Sequence, residues 1–147
     1  MSGSVLAGTT IVTGVVGDDI HIMGIRLVEH ALKAEGAQVV SLGVMTPVRE
    51  FVEAAIETAA DAVVISSSNG HARLSCEGIR DEFTEAGLGS IRLYIGGNLR
   101  VGSHAGTSEE IENEFRSLGF DRVFASNVDL SEALREIASD LKADDRS

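Results

Sequence analysis

Residues 10–24 read TIVTGVVGDDIHIMG and combine a buried-strand pattern with a polar loop. Residues 10–16 form an apolar run typical of a strand in a parallel sheet that is covered on both faces. Beyond this run, Asp19 stands two residues before His21, and Gly24 stands three residues after it. A carboxylate beside an imidazole sets the tautomer and basicity of the ring, which suits a metal-ligating histidine. The stretch therefore predicts a strand that leads into a candidate metal ligand.

Apolar runs alternate with helical patterns along the rest of the chain. Further strands are predicted at residues 39–42, 61–66, 91–95 and 122–125. The first predicted helix covers residues 23–35 and stops at Gly36, and the second has Thr46 as N-cap and Pro47 at the first helical position. The third carries Cys76, Ile79 and Phe83 before a stop at Gly87. The fourth runs from Thr107 or Ser108 to Leu118 and is closed by Gly119, and the fifth runs from Leu130 to Leu141. Such alternation predicts one α/β domain over residues 1–147, with a core at about 8–142. The expected fold is flavodoxin/Rossmann-like, a doubly wound five-stranded parallel sheet of order 2-1-3-4-5.

Composition excludes several classes of protein. A net charge of −11 argues against nucleic-acid binding, which needs clustered lysines and arginines. No apolar run approaches the roughly 20 residues needed to cross a bilayer, and the N-terminus lacks the pattern of a signal peptide. A cytoplasmic location without membrane contact is therefore expected. The lone Cys76 rules out an internal disulfide and a zinc site of several thiolates, and we expect it to fill the core.

Polar and glycine-rich segments follow the first, third and fourth predicted strands. They contain Asp18, Asp19 and His21; then Ser66, Ser67 and Ser68; then Gly96 and Gly97. In a sheet of this order, ligands bind beyond the carboxyl ends of the strands, between strands one and three. Each segment also has a plain structural interpretation, because aspartates cap helices and serines or glycines make turns. Their common position at one edge favours a binding site.

Other active sites of α/β folds lack their residues here. A receiver domain needs a phosphoacceptor aspartate at the end of strand three, where Ser66 stands. The chain has neither a Walker loop nor a dinucleotide fingerprint after strand one, and no Gly-x-Ser-x-Gly elbow. A flavin site would want a hydroxyl-rich first loop and aromatic walls, whereas this loop is acidic.

The combination of Asp19-x-His21-x-x-Gly24, Ser66 and Gly96-Gly97 resembles the signature of cobalamin-binding domains in adenosylcobalamin-dependent mutases. Within that family it is most similar to the small subunits of glutamate mutase. The resemblance runs over residues 10–124 and includes residues 54–58 (AAIET) and 118–123 (LGFDRV).

The resemblance implies a role for each matching residue. His21 would be the lower axial ligand of cobalt, and Asp19 would accept a hydrogen bond from its other ring nitrogen. Gly24 would let the first helix begin close to the cofactor. The displaced nucleotide tail would enter a slot between that helix and the sheet, hydrogen-bonded by Ser66. The remaining residues expected at the cofactor are Asp18, Ile20, Ile22, Ser67, Ser68, Gly96, Gly97, Asn98, Leu99, Arg100, Val101 and Gly102.

The family also implies a partner, a large barrel-shaped subunit that binds the substrate, L-glutamate, and rearranges it to threo-3-methylaspartate in a hetero-oligomer. The sequence departs from the family pattern in three places. Ser68 stands where a leucine is usual, residues 125–128 (ASNV) replace Pro-Gly-Thr, and residues 103–107 are slightly longer than usual. These departures motivate an alternative, a mutase subunit for a different acid or acyl-CoA. A corrinoid carrier or sensor without mutase activity, and a flavodoxin-like domain unrelated to cobalamin, are further alternatives.

The assignment of His21 as the cobalt ligand predicts a change in the visible spectrum of added cobalamin. The wild-type chain should shift that spectrum, and His21→Ala should leave it as in the free cofactor. Asp19→Asn should weaken binding about 10–100-fold, because the ring loses the carboxylate that orients it. A free-cofactor spectrum with the wild-type chain would exclude the assignment.

Overall fold

Five parallel strands form the centre of the fold. The computed structural model describes residues 6–16, 23–67, 75–97, 108–125 and 129–144. The strands are β1 (Thr10–Val15), β2 (Gln38–Ser41), β3 (Ala62–Ser67), β4 (Arg92–Gly97) and β5 (Arg122–Ala125). They pair in the order β2-β1-β3-β4-β5, and every pairing is parallel. The predicted fold class and strand order are confirmed.

Helices cover both faces of the sheet. Those in the described residues are α1 (Met23–Ala34), α2 (Val48–Thr58), α3 (Ile79–Glu85), α4 (Ser108–Ser117) and α5 (Leu130–Asp144). Helices α1 and α5 pack on one face, where Ile25 and Ile137 join the cluster around Ile11 and Val15. Helices α2, α3 and α4 pack on the other face, with Phe51, Ile79, Phe83 and Phe115. In the part of the chain just listed, no helix has the length and apolar character to span a membrane.

The strand residues alternate between these two cores. Ile11 and Val15 belong to the α1–α5 side, whereas Val12 and Val16 belong to the other side. This follows from the two-residue period of a strand, which sends successive side chains to opposite faces. At Gly14 an added Cβ would lie 2.9 Å from the Phe51 ring, so the missing side chain lets α2 approach β1 closely.

Two predicted helix starts are wrong. Helix α2 begins at Val48 with Pro47 as its N-cap, because the backbone N–H of Thr46 donates to Val15 O at 2.9 Å and thereby continues the sheet. Cys76 precedes helix α3, because Gly78 adopts a left-handed φ of 79° at the N-cap. The expectation that Cys76 fills the core is confirmed: it is fully buried, and burial raises the pKa of its thiol to about 12.

The helix stops at three glycines are confirmed. Gly36, Gly87 and Gly119 have φ angles of 96°, 85° and 109°, in the left-handed region that ends helices. At Gly119 an added Cβ would also overlap the side chain of Arg80. Arg80 donates there to the Gly119 carbonyl at 2.6 Å and to Ile91 O at 2.7 Å, which ties α3 to the turns before β4 and β5.

A side-chain network joins α5 to the amino ends of β4 and β5. Asp140 accepts hydrogen bonds from Arg122 Nε and from the Tyr94 hydroxyl, each at 2.8 Å. Arg122 Nη2 completes a two-point contact with the other carboxylate oxygen at 3.0 Å. The pKa of the Asp140 carboxyl lies below its ordinary value, first because Arg122 donates to it and then because Tyr94 does.

This network predicts an acid-dependent share of stability. Because the folded chain lowers the pKa of Asp140, the stabilisation is complete above the unfolded pKa of about 4 and is lost as pH falls through the folded pKa. Asp140→Asn should lower the free energy of unfolding by about 1–2 kcal/mol at pH 7. Urea unfolding of both proteins from pH 7 to pH 2 should show the difference shrinking below about pH 4.

Glu112→Gln provides a control for this comparison. Its ion pair with Arg116 is nearly half exposed on both sides. Such a pair contributes little, so this variant should unfold like the wild type at pH 7. If the difference in the free energy of unfolding between the wild type and Asp140→Asn stays constant down to pH 2, the role of the carboxylate is contradicted.

Candidate functional site

Four residues form one row across the carboxyl edge of the sheet. Val15 is paired with Ser66, Ser66 with Gly96, and Gly96 with Phe124. Val15 belongs to the core on the α1–α5 side, and Phe124 packs against that core. We call Val15, Ser66, Gly96 and Phe124 the edge row. Its two central members carry only a hydroxymethyl group and a hydrogen, so the row is low in the middle and apolar at both ends.

Ser66 and Ser67 face opposite sides of the sheet. Strand β3 extends through Ser67, one residue further than predicted, and successive side chains of a strand alternate. Ser66 is half-buried in the edge row, whereas Ser67 is fully buried. Of these two serines, Ser66 is the one on the side of helix α1, where the nucleotide tail is expected.

The paired glycines are the last two residues of β4, so the strand extends two residues further than predicted and the alternative interpretation of a turn does not apply to them. Gly97 has a φ of 110°, and a Cβ there would overlap the backbone carbonyl of Ser67. A Cβ at Gly96 would lie 3.3 Å from the Phe124 carbonyl oxygen. The packing of the sheet therefore explains both glycines, since they let β4 approach its two neighbouring strands closely at the carboxyl edge.

Several expected site residues lie outside the described residues: Asp18, Asp19, Ile20, His21, Ile22, Ser68, Asn98, Leu99, Arg100, Val101 and Gly102. Their segments nevertheless adjoin described residues. Val16 donates its backbone N–H to Ser66 O at 3.2 Å, so the segment with Asp19 and His21 leaves the sheet beside Ser66. Gly24 is the second residue of α1, at the other end of that segment. The segment with Asn98 follows Gly97 directly.

A buried carboxylate lies below the edge row, and the sequence analysis did not single it out. Glu29 of α1 is 3% exposed. Its Oε2 accepts hydrogen bonds from Thr13 of β1 and Ser41 of β2, both at 2.6 Å. The sequence contains a pattern that indicates the burial of Glu29, because Ile25, Glu29 and Leu32 share the helical spacing of a core-facing stripe.

The segment after β2 is a second feature that the sequence did not reveal. Gly43 and Met45 both have positive φ angles, of 82° and 56°. Backbone hydrogen bonds hold this segment against β1, from Val15 N to Gly43 O at 2.8 Å and from Thr46 N to Val15 O at 2.9 Å. Met45 is thereby left 55% exposed at the same edge of the sheet.

The edge row suits a flat, weakly polar group rather than a phosphate or a caged metal ion. It offers the hydroxyl of Ser66, the strand backbone at Gly96 and the partly buried ring of Phe124, whereas Val15 is fully buried; none of its members is charged. Within the described ranges, no three His, Cys, Asp or Glu side chains gather to hold a metal. These properties fit the benzimidazole of a cobalamin tail.

Comparison with known proteins identifies relatives of similar length. The family model "B12 binding domain" matches residues 9–135. The chain is 47% identical to glutamate mutase sigma subunit 1 of Haloarcula marismortui, over 90% of this chain and 86% of that one. It is 44% identical to the glutamate mutase sigma subunit of Carboxydothermus hydrogenoformans, over 89% of this chain and 94% of that one.

Solved structures share the fold. A cobalamin-binding protein from Desulfitobacterium hafniense has a TM-score of 0.65 at 24% identity, over 94% of this chain and 58% of that one. The monomethylamine corrinoid protein of Methanosarcina barkeri has a TM-score of 0.66 at 27% identity, over 89% of this chain and 57% of that one. The chain thus spans less than two thirds of the length of either solved protein.

The internal role of Gly97 predicts a loss of stability in the absence of any ligand. Gly97→Ala should lower the free energy of unfolding by about 2–4 kcal/mol, because the methyl group meets the Ser67 carbonyl and the residue is held at a positive φ. Urea unfolding measures it, with Gly96→Ala as the matched variant expected to cost about 1 kcal/mol or less. Wild-type stability of Gly97→Ala would mean that this glycine does not serve strand pairing.

Proposed function

The chain belongs to the B12-binding domain family, and from that premise we propose that it is the cobalamin-binding subunit of a glutamate mutase. The complete enzyme would interconvert L-glutamate and threo-3-methylaspartate. The observation that carries this proposal is the identity of 44–47% to glutamate mutase sigma subunits over most of both chains. The edge row supports it, because its shape and chemistry suit part of the cofactor.

We propose adenosylcobalamin as the form of the cofactor, with the chain acting as one binding domain. When bound, this cofactor supplies the radical through homolysis of its cobalt–carbon bond. His21 would bind the cobalt, and Asp19 would hold the imidazole in the ligating tautomer. Asp18, Ile20 and Ile22 would flank the ligand. The closeness of Val16 to Ser66 supports this arrangement, since it starts the histidine segment beside the edge row.

The nucleotide tail is assigned to the α1 side of the carboxyl edge. Ser66 would hydrogen-bond the benzimidazole, and Gly96 would let the ring approach the strand. Phe124 would close the far end of the row, where its ring lies 6.0 Å from that of Tyr94. Ser68 and the segment of Asn98, Leu99, Arg100, Val101 and Gly102 would continue the wall. Ser67 would line the opposite face of β3 and would not contact the tail.

Substrate binding is assigned to a large, barrel-type partner subunit in a hetero-oligomer. A dicarboxylate substrate calls for cationic side chains near the cofactor. Arg80, Arg92 and Arg122 are instead paired with Asp121, Asp144 and Asp140 around the amino ends of the strands, opposite the edge row. These three charges are therefore committed to contacts within the fold.

The proposed function predicts glutamate-dependent isomerisation by the reconstituted enzyme. Purified chain, its large subunit and adenosylcobalamin should convert L-glutamate to 3-methylaspartate, followed by NMR. Omission of either polypeptide should abolish conversion. If the reconstituted enzyme instead acts on another acid or an acyl-CoA in a substrate panel, the choice of glutamate is overturned. Methyl transfer without isomerisation would identify a corrinoid carrier.

A further inference from the structure

We propose that Glu29 and Thr13 form a clamp that positions His21 for cobalt, an inference that rests on the proposed function. The Thr13 hydroxyl donates to Glu29 Oε2 at 2.6 Å. This bond joins residues 16 apart in the chain, and His21 is the midpoint of the segment between them. Glu29 is thus a positioning residue that acts through β1 and α1, the two elements on either side of the histidine segment, which we call its stems.

The clamp connects three elements at one oxygen atom. Glu29 Oε2 accepts from Thr13 of β1 and from Ser41 of β2, which are themselves register partners. The other oxygen, Oε1, lies 3.9 Å from Nη1 of the exposed Arg26. Thr13 is fully buried, so the shorter path for water to this carboxylate is from the side of Ser41 and Arg26.

A buried carboxylate restricts the helix more than an apolar residue would. Apolar contacts are non-directional, so the packing of Ile25 and Leu32 defines the rotation of α1 less sharply than hydrogen bonds do. A carboxylate withdrawn from water must keep its donors, because an unpaired buried charge is strongly unfavourable. Two short bonds to neighbouring strands therefore define both the rotation and the axial position of α1.

Positioning of α1 defines one end of the histidine segment, and β1 defines the other. The segment leaves the sheet at Val16, which is bonded to Ser66 O and forms a bridge with Thr46. It enters α1 at Met23. A ligand must be held within about 0.5 Å of its productive position, which requires its support to be rigid. The Thr13–Glu29 bond supplies that support where the two stems pack together.

The chain contains a hydrogen bond that is comparable to the clamp but does not join the two sides of the histidine segment. The Tyr94 hydroxyl of β4 donates to Asp140 of α5 at 2.8 Å. Like the clamp, it joins a buried strand residue to a helix on the α1–α5 face. Tyr94→Phe removes this bond, keeps the ring that packs against Phe124, and leaves β1 and α1 on either side of the histidine segment unchanged, so it separates positioning from general stability.

The decisive comparison is among Thr13→Val, Thr13→Ser and Tyr94→Phe. Thr13→Val keeps the shape of the side chain and removes its donor, whereas Thr13→Ser keeps the donor. Cobalamin is titrated into each protein by visible spectroscopy. Imidazole ligation is measured from the EPR spectrum of bound cob(II)alamin with ¹⁵N-labelled histidine. Melting temperatures and hydrogen exchange at residues 23–28 are recorded on the same proteins without cofactor.

Thr13→Val should bind cobalamin about tenfold more weakly, with a smaller imidazole-ligated fraction, because the ring loses its supported position. Thr13→Ser should resemble the wild type. Tyr94→Phe should keep wild-type affinity and ligation even if its melting temperature falls as far as that of Thr13→Val. Equal weakening by Thr13→Val and Tyr94→Phe, or full ligation in Thr13→Val, would overturn the clamp.

Two further measurements keep the clamp and the proposed function separable. If wild-type protein shows no imidazole ligation, the proposed function fails, and hydrogen exchange alone judges the clamp. Faster exchange at the start of α1 in Thr13→Val than in Tyr94→Phe would support it, and equal exchange would overturn it. If Thr13→Val does not fold, Ser41→Ala, which removes the more exposed donor, is compared with Tyr94→Phe by the same criteria.

Discussion

The parallel pairing of β1 with β3 is the constraint on which the site depends. These strands are distant in sequence, yet their register places Val15 beside Ser66 and Thr13 beside Val64. The strand order reverses at this pair, because β2 lies on the outer side of β1 and β4 lies on the outer side of β3. The segments with His21 and with Ser68 therefore leave the sheet next to each other.

The two ends of the sheet serve different purposes. Around the amino ends, Asp140 and Asp121 bind arginines and backbone groups, and these contacts hold helices and turns in place. At the carboxyl ends, the edge row contains uncharged residues that are small at its centre, and Gly97 lets β4 approach β3 without a side chain between them. These ion pairs thus lie at the amino ends of the strands, whereas no member of the edge row is charged.

Much of the fold follows from local patterns in the sequence. Continuous apolar runs such as residues 62–65 can only be satisfied by a sheet covered on both faces, and the alternation with helices then restricts the strand order. Helix starts were less predictable: Thr46 is a good N-cap by composition, but the strand β1 competes for its backbone N–H. The position of Gly78 likewise separated Cys76 from the helix that follows.

The sequence by itself determined the fold class, the strand order, the family and the candidate ligands Asp19 and His21, because periodicity and spaced motifs are local properties of the chain. Only the tertiary structure decided that Ser66 and Ser67 face opposite sides, that Gly96 and Gly97 are strand residues, and that Glu29 meets Thr13 and Ser41. Each of these depends on register between distant strands or on the rotation of a helix over the sheet. Such relations arise from packing, so no single segment of the sequence encodes them.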